Sequence, residues 1–221
     1  MPIATFKDWT LTTLEKTFGL TQVWQSDLLD TWQKMPCKIS RTDKTILLKF
    51  QRVLVHGGRG WNETELENKF ISPVIMLADI DDDKVGYFLE RPLSATIGDY
   101  QMSGIVDGMI ATGLREPNTP LFCLHEYKRS IENQGTPDAQ VLAAMLVARE
   151  LNQHNHPIYG LFVVGLVWNF VVLEGNNYCI SHNYNADGLE MFNIFKMLKN
   201  LKSLITVDTK PLDYPSVSLL P

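Results

Sequence analysis

Residues 101–128 read QMSGIVDGMIATGLREPNTPLFCLHEYK, and two charged positions in this stretch decide how the chain is read. Alternating apolar residues between turn-forming ones predict strands at 101–113 and 120–128. Successive side chains of a strand point to opposite faces, so Phe122, Leu124, Glu126 and Lys128 should share one face of the second. Ile105, Asp107 and Met109 should share one face of the first, with Gly104 and Gly108 leaving room for backbone or ligand beside Asp107. A charge on an apolar face is costly unless a partner, a metal or water meets it. Neighbouring strands that each bury a carboxylate therefore need a cation between them, because paired carboxylates repel and raise each other's pKa.

Upstream, VGYFLE at 85–90 predicts a further strand, preceded by the acidic loop DIDDD at 79–83. Asn62 is a good N-cap for a helix through ETELENKFISPVIMLA, with apolar residues at 66, 70, 74 and 77. Before it, 40–55 reads as a helix capped by Ser40 and ended by GGRG at 57–60, and 4–34 as one or two amphipathic helices broken near Gly19. Downstream, Thr136, Pro137 and Asp138 open a helix that ends near HNHP at 154–157. Strands at IYGLFVVGL, WNFVVLEG and NYCISHNY follow, with a hairpin turn at 175–177. A last helix over 188–205 should place Lys196, Lys199 and Lys202 on one exposed face. This order predicts an α/β fold: a mixed sheet with helices on both faces, preceded by a helical N-terminal segment. The expected division is a helical extension at 1–60, a main domain at 61–207 and a tail at 208–221.

The chain has 221 residues, 45% of them hydrophobic and 20% charged, so it can bury a sizeable core. No apolar run approaches the roughly 18–20 residues that span a bilayer, and the first residues lack the pattern of a signal peptide. Cys37, Cys123 and Cys179, odd in number and widely spaced, read as buried reduced thiols of a cytoplasmic protein. The net charge is −5, yet Lys34, Lys38, Arg41, Lys44, Lys49, Arg52 and Arg59 cluster in 34–59 against Asp43 alone. The acids Glu63, Glu65, Glu67, Asp79, Asp81, Asp82, Asp83 and Glu90 follow in 61–90 against Lys69 and Lys84. These blocks read either as solvated surfaces or as a phosphate-attracting surface beside a metal-collecting one.

The string acid–x–Lys occurs four times, at Glu67–Lys69, Asp82–Lys84, Glu126–Lys128 and Asp208–Lys210, so it decides nothing by itself. Only Glu126–Lys128 ends a strand whose own face is apolar. Magnesium takes one or two carboxylates and keeps water and phosphate oxygens as its other ligands, which suits Asp107 beside Glu126. A lysine two residues along the strand can orient or deprotonate a water, or steady a developing phosphate charge. A salt bridge between Lys128 and Asp107 is the plainer alternative.

The run ETELENKFISPV, then SGIVDG, then LHEYK, then a Gln-bearing helix resembles the PD-(D/E)XK nuclease superfamily over about 62–206. The resemblance implies a three-layer α-β-α restriction-endonuclease-like core. It implies that Asp107 and Glu126 are metal ligands for Mg²⁺ or Mn²⁺, with Lys128 as the catalytic lysine and a first-helix acid completing the site. Glu63 and Glu67 both qualify, being four apart on one helix face; the "NE" opening of similar helices favours Glu63. Gln140 matches a helix position that faces the site. Val106, not proline, precedes Asp107, as in many members. The implied function is metal-dependent hydrolysis of DNA by an activated water, with nucleic acid as partner, no membrane, and a homodimer as a compatible assembly. The rival expectation is a nuclease-like fold used as a non-catalytic DNA- or protein-binding module in DNA maintenance or defence.

Other signals carry less. His154 and His156 flank a helix end, His125 lies on the opposite face from Glu126, Trp61, Trp168 and Tyr127 suit a core, and Gly57–Gly58 is too short for a phosphate loop.

Overall fold

The computed structural model describes residues 1–128, 136–153 and 156–208, the last three by backbone only. In chain order the elements are β1 (Ile3–Thr5), α1 (Leu11–Phe18), β2 (Thr21–Gln22), α2 (Asp27–Lys34), α3 (Arg41–Gly57) and α4 (Glu63–Leu66). A π-helical turn at Glu67–Ile71 leads into α5 (Ser72–Leu77). Then come β3 (Val85–Ile97), β4 (Tyr100–Thr112), β5 (Asn118–Lys128), α6 (Pro137–Asn152), β6 (Ile158–Val164), β7 (Val167–Glu174), β8 (Asn177–Ile180), β9 (Tyr184–Asn185) and α7 (Met191–Asp208). The sheet is mixed: β3, β4 and β5 form an antiparallel meander, α6 crosses over, and β6 returns parallel to β5.

Two apolar cores sit on the two sides of this sheet. One gathers Phe6, Leu14, Val106, Met109, Leu124 and the helix α6; the other gathers residues of α2, α3, α5 and α7 with Tyr127, Leu161, Trp168 and Phe170. Consecutive strand residues divide between them, Val171 in the first and Phe170 and Val172 in the second, as the pleat requires. Residues 139–148 of α6 are all buried, which is why its sequence is apolar around nearly its whole circumference.

Three expectations change. The strand expected at 85–90 runs on to Ile97 and turns at Gly98–Asp99, with Gly98 at φ 56°. Pro92 is tolerated because β3 pairs with β4 alone and its outer edge needs no ladder N–H. Phe122 does not share a face with Leu124: the register slips between Ile110 and Ala111, and Phe122 joins the core opposite Leu124's. The N-terminal stretch is also not purely helical, since β1 pairs parallel with residues 101–103 of β4 and β2 with β8. Residues 1–60 thus join the sheet of 61–207 at both ends. The tail from 209 onward and His154 lie outside the described residues. Among the described residues, no helix is long and apolar enough to cross a membrane.

Candidate active site

One edge of β4 is divided. Its residues 108–112 pair with β5 and its residues 101–103 with β1, so Asp107 lies at the fork between the two partners. Glycines on either side make the fork tight. A Cβ at Gly104 would stand 2.3 Å from the Phe6 ring, and one at Gly108 would stand 2.9 Å from Tyr87 and 3.1 Å from His125 Nδ1. Where the β4–β5 ladder stops, at the Gly108–His125 pair, the Tyr127 N–H donates to Asp107 Oδ2 at 2.5 Å. Asp107 therefore takes over a backbone donor that the broken ladder leaves.

Glu126 and Lys128 end β5, each only 4% exposed. Lys128 Nζ donates to Glu126 at 2.7 Å, to Glu63 Oε1 at 2.8 Å and to the Tyr127 carbonyl at 3.0 Å. Glu63 opens α4 behind the Asn62 cap, whose Oδ1 accepts the Glu65 N–H in a reciprocal capping box. The Lys128–Asp107 salt bridge is not formed; Lys128 chooses Glu126 and Glu63 instead, and reaches Asp107 only through its field.

The electrostatics are those of a carboxylate surplus. Burial and the negative charge of Asp107 push Glu126 up to about 7, outweighing its pair with Lys128. Burial, followed by the charges of Asp107, Glu90 and Glu63, pushes Glu67 up to about 7 as well. Burial raises Asp107 too, against the Tyr127 hydrogen bond and the Lys128 charge. Burial works against the Lys128 ammonium, but its pairing with Glu126 and Glu63 wins and its pKa is raised.

Glu63 and Glu67 thus both face the cluster, but in different ways: Glu63 by contact, Glu67 by field. The π turn begins at Glu67, whose N–H is shared between the carbonyls of Glu63 and Thr64. Such single π turns recur at functional sites. Gln140 is buried at the end of the first turn of α6, the helix that packs on β5 and β6.

Two groups at this site carry no motif and escaped the sequence reading. Glu90 holds φ 48° on β3, at the step where its ladder with β4 skips Asp107, and its charge reaches Glu67. Lys7, in the turn after β1, acts on Asp107 from the N-terminal side. Nothing in the sequence marks a non-glycine residue for positive φ at Glu90, and nothing local marks Lys7, which arrives by a parallel pairing about a hundred residues away in sequence.

Donor chemistry decides the fit to a metal. Among the described residues, no three His, Cys, Asp or Glu side chains stand together so as to hold an ion. Magnesium does not need three, since one or two carboxylates with water and phosphate oxygens complete its shell. Asp107 and Glu126, both raised chiefly by burial, offer oxygens of the kind such a shell takes.

Other expected sites resolve otherwise. In the acidic loop, Asp82 Oδ1 accepts from the Lys84 and Val85 N–H groups and Asp81 Oδ1 from that of Tyr87, so these oxygens close the entry to β3. Lys196, Lys199 and Lys202 form no exposed patch; all three are half-buried, Lys199 lies 4.0 Å from Asp43, and Lys202 donates to the carbonyl of Asp79. Cys123 and Cys179 are buried thiols, whereas Cys37 is partly exposed. Lys38, Arg41, Lys44, Lys49, Arg52 and Arg59 are all exposed. No protein-family model matches the chain, and no curated protein matches it by sequence.

Proposed function

We propose that the chain is a metal-dependent nuclease with a restriction-endonuclease-like core, hydrolysing phosphodiester bonds of DNA at the Asp107–Glu126–Lys128 cluster. The helix Glu63–Leu77, the β3–β5 meander, α6 and the parallel β6 follow the element order of that core. The observation that carries the reading is the buried Glu126–Lys128 pair, joined by Glu63 and set in the field of Asp107, with its carboxyl groups raised chiefly by burial.

Each residue has a role that its environment dictates. Lys128, held as an ammonium, places a fixed positive charge where a phosphate oxygen becomes more negative, and is not the base. Asp107 and Glu126 would hold Mg²⁺ or Mn²⁺, with Glu63 at the edge. When bound, the metal supplies a Lewis acid for the phosphoryl oxygen and a water of lowered pKa. Glu67, at about 7, is matched to accept the proton of the attacking water near neutral pH. The water oxygen forms the new bond to phosphorus in line as the opposite P–O bond breaks, and the departing oxygen takes a proton from solvent, giving a phosphate monoester and a free hydroxyl with no covalent intermediate.

The rival is a non-catalytic DNA- or protein-binding module, and one observation favours it: Lys128 meets three acceptors, so the cluster is closed as it stands. Cleavage decides. Labelled single-stranded and duplex DNA should be cut with Mn²⁺ or Mg²⁺, and Asp107→Asn or Glu126→Gln should lower the rate by about 10²–10³-fold or more. Intact substrates after incubation of the wild-type chain with Mn²⁺ would leave the binding module standing.

A further inference from the structure

A groove of about 620 Å³ lies between α3 and the start of α4, lined by Arg52, Val53, His56, Gly57, Trp61 and Lys69. We infer that this groove binds a single-stranded stretch of nucleic acid and leads it to the carboxylate cluster. The second half of that statement rests on the nuclease reading; the first does not.

The lining charges are of one sign. Arg52 is exposed and, among the described residues, is engaged by no ion pair. Lys69 pairs with Glu65 at 2.5 Å and stands 5.4 Å over the Trp61 ring. Both ends of that i,i+4 pair are solvated, and such pairs contribute little, so a phosphate can replace Glu65 with small loss. His56 turns Nδ1 to the Arg52 carbonyl at 2.7 Å, which fixes the ring against the groove wall.

The apolar part of the lining separates a single strand from a duplex. Val53 is 48% exposed, and Trp61, itself only 7% exposed, adds no more than its rim to the same wall. A duplex offers this wall only phosphates, because its bases are stacked inside. An unpaired base has an apolar face to lay against it, and cations beside apolar or aromatic walls are the usual means of holding single strands.

Position links groove to cluster. Trp61 also lines a smaller recess with Gly58, Arg59, Leu66, Gly165 and Leu166, and the Gly165 N–H donates to the Lys128 carbonyl at 2.8 Å. On the helical stretch from 63 to 69, Lys69 lines the groove with Glu65 paired to it, while Glu63 contacts the cluster and Glu67 feels its field. The groove and the cluster thus lie on opposite flanks of one helical stretch, with the recess, backed by the Lys128 backbone, beside Trp61.

The test is binding in EDTA, where hydrolysis cannot interfere, read by fluorescence anisotropy. The probes are a short labelled single-stranded DNA and its duplex, and the proteins are the full chain, R52A/K69A and Val53→Asp. The wild type should prefer the single strand by about tenfold. R52A/K69A should lose roughly tenfold and flatten the slope of log affinity against log salt by about 1.4, at about 0.7 for each phosphate contact. Val53→Asp should abolish the preference while the melting temperature stays unchanged. Equal binding of strand and duplex, or single-strand affinity unchanged in R52A/K69A, overturns the inference. Polyglutamate competing as well as single-stranded DNA also overturns it, in favour of an acidic protein. Groove-dependent binding without cleavage in Mn²⁺ sinks the nuclease reading alone; cleavage without groove-dependent binding sinks this inference alone.

Discussion

His125 and Tyr127 alternate with Glu126 and Lys128 along the end of one strand, and all four are buried, yet they meet burial in opposite ways. On one side the groups stay neutral. Burial holds His125 down to about 3, its Nδ1 bonds to the Tyr127 hydroxyl at 2.8 Å, and that hydroxyl to Tyr87's at 3.0 Å. On the other side the charges remain and collect: Lys128 with Glu126 and Glu63, then Asp107, with Glu67 in their field. The neutral chain is nearly self-sufficient, with His125 Nε2 its one atom lacking a partner among the described residues. The charged cluster is not, because its carboxylates outnumber its cation. That deficit separates a structural polar network from a candidate site, and it is testable side against side.

The largest difference should appear on truncation. Lys128→Met leaves Glu126 buried without its partner, a loss of about 3–5 kcal/mol, or roughly 2–4 °C of melting temperature for each kcal/mol in a chain of this size. Tyr127→Phe leaves His125 Nδ1 and the Tyr87 hydroxyl without their bond and should cost about 1–3 kcal/mol. It should change the cleavage rate little, since its backbone N–H still serves Asp107. Equal losses in the two variants, read by thermal denaturation, would erase the distinction between the sides.

Metal should act on one side only. Mn²⁺ at about a hundred times its dissociation constant should stabilise the chain by about 2.7 kcal/mol through mass action. The shift should vanish in Asp107→Asn and Glu126→Gln and survive in Tyr127→Phe. A wild-type melting temperature that ignores millimolar Mn²⁺ would mean that Lys128 already answers the carboxylates.

The sequence made the charged side visible and left the neutral side dark, for a physical reason. Glu126, Lys128 and Asp107 interrupt apolar alternation, and an interruption is a local signal. His125 and Tyr127 interrupt nothing, because a neutral His and a Tyr pass for core. The helices at α3, α4 and α6 were legible through Ser40, Asn62 and Pro137, since caps act within one turn. The β1–β4 pairing that brings Lys7 to Asp107 was not legible, because a three-residue strand has no periodicity and its partner is remote. Likewise, the lysines of α7 keep helical spacing, but spacing does not show that Asp43 and the acidic-loop carbonyls cover that face.

The smallest expected effect is on the pH dependence of stability, and its sign distinguishes the sides again. Glu126 sits at about 7 in the folded chain against 4.5 when unperturbed, and Asp107 is raised in the same direction. Between these values the folded chain keeps a proton that the unfolded chain has lost, so folding is favoured as pH falls. The contribution is complete below about 4.5 and gone once pH has risen through about 7. Lys128 is raised and titrates only at alkaline pH, outside this window. His125, held near 3, is uncharged in the folded chain throughout the window; it pulls the other way below its unperturbed 6.5, because the unfolded chain then gains a proton that the folded chain refuses. Glu126→Gln removes the first component and leaves the second. The difference between wild type and Glu126→Gln should therefore be a stabilisation of the wild type on going from pH 8 to pH 5.5, on the order of 1 kcal/mol or roughly 2–4 °C. Saturating Mn²⁺ should reverse that difference, since the metal competes with the proton for the same oxygens and binds best where they are ionised. Parallel wild-type and Glu126→Gln profiles from pH 8 to pH 5.5 would show that Glu126 is ionised across the range and that Lys128 alone satisfies it.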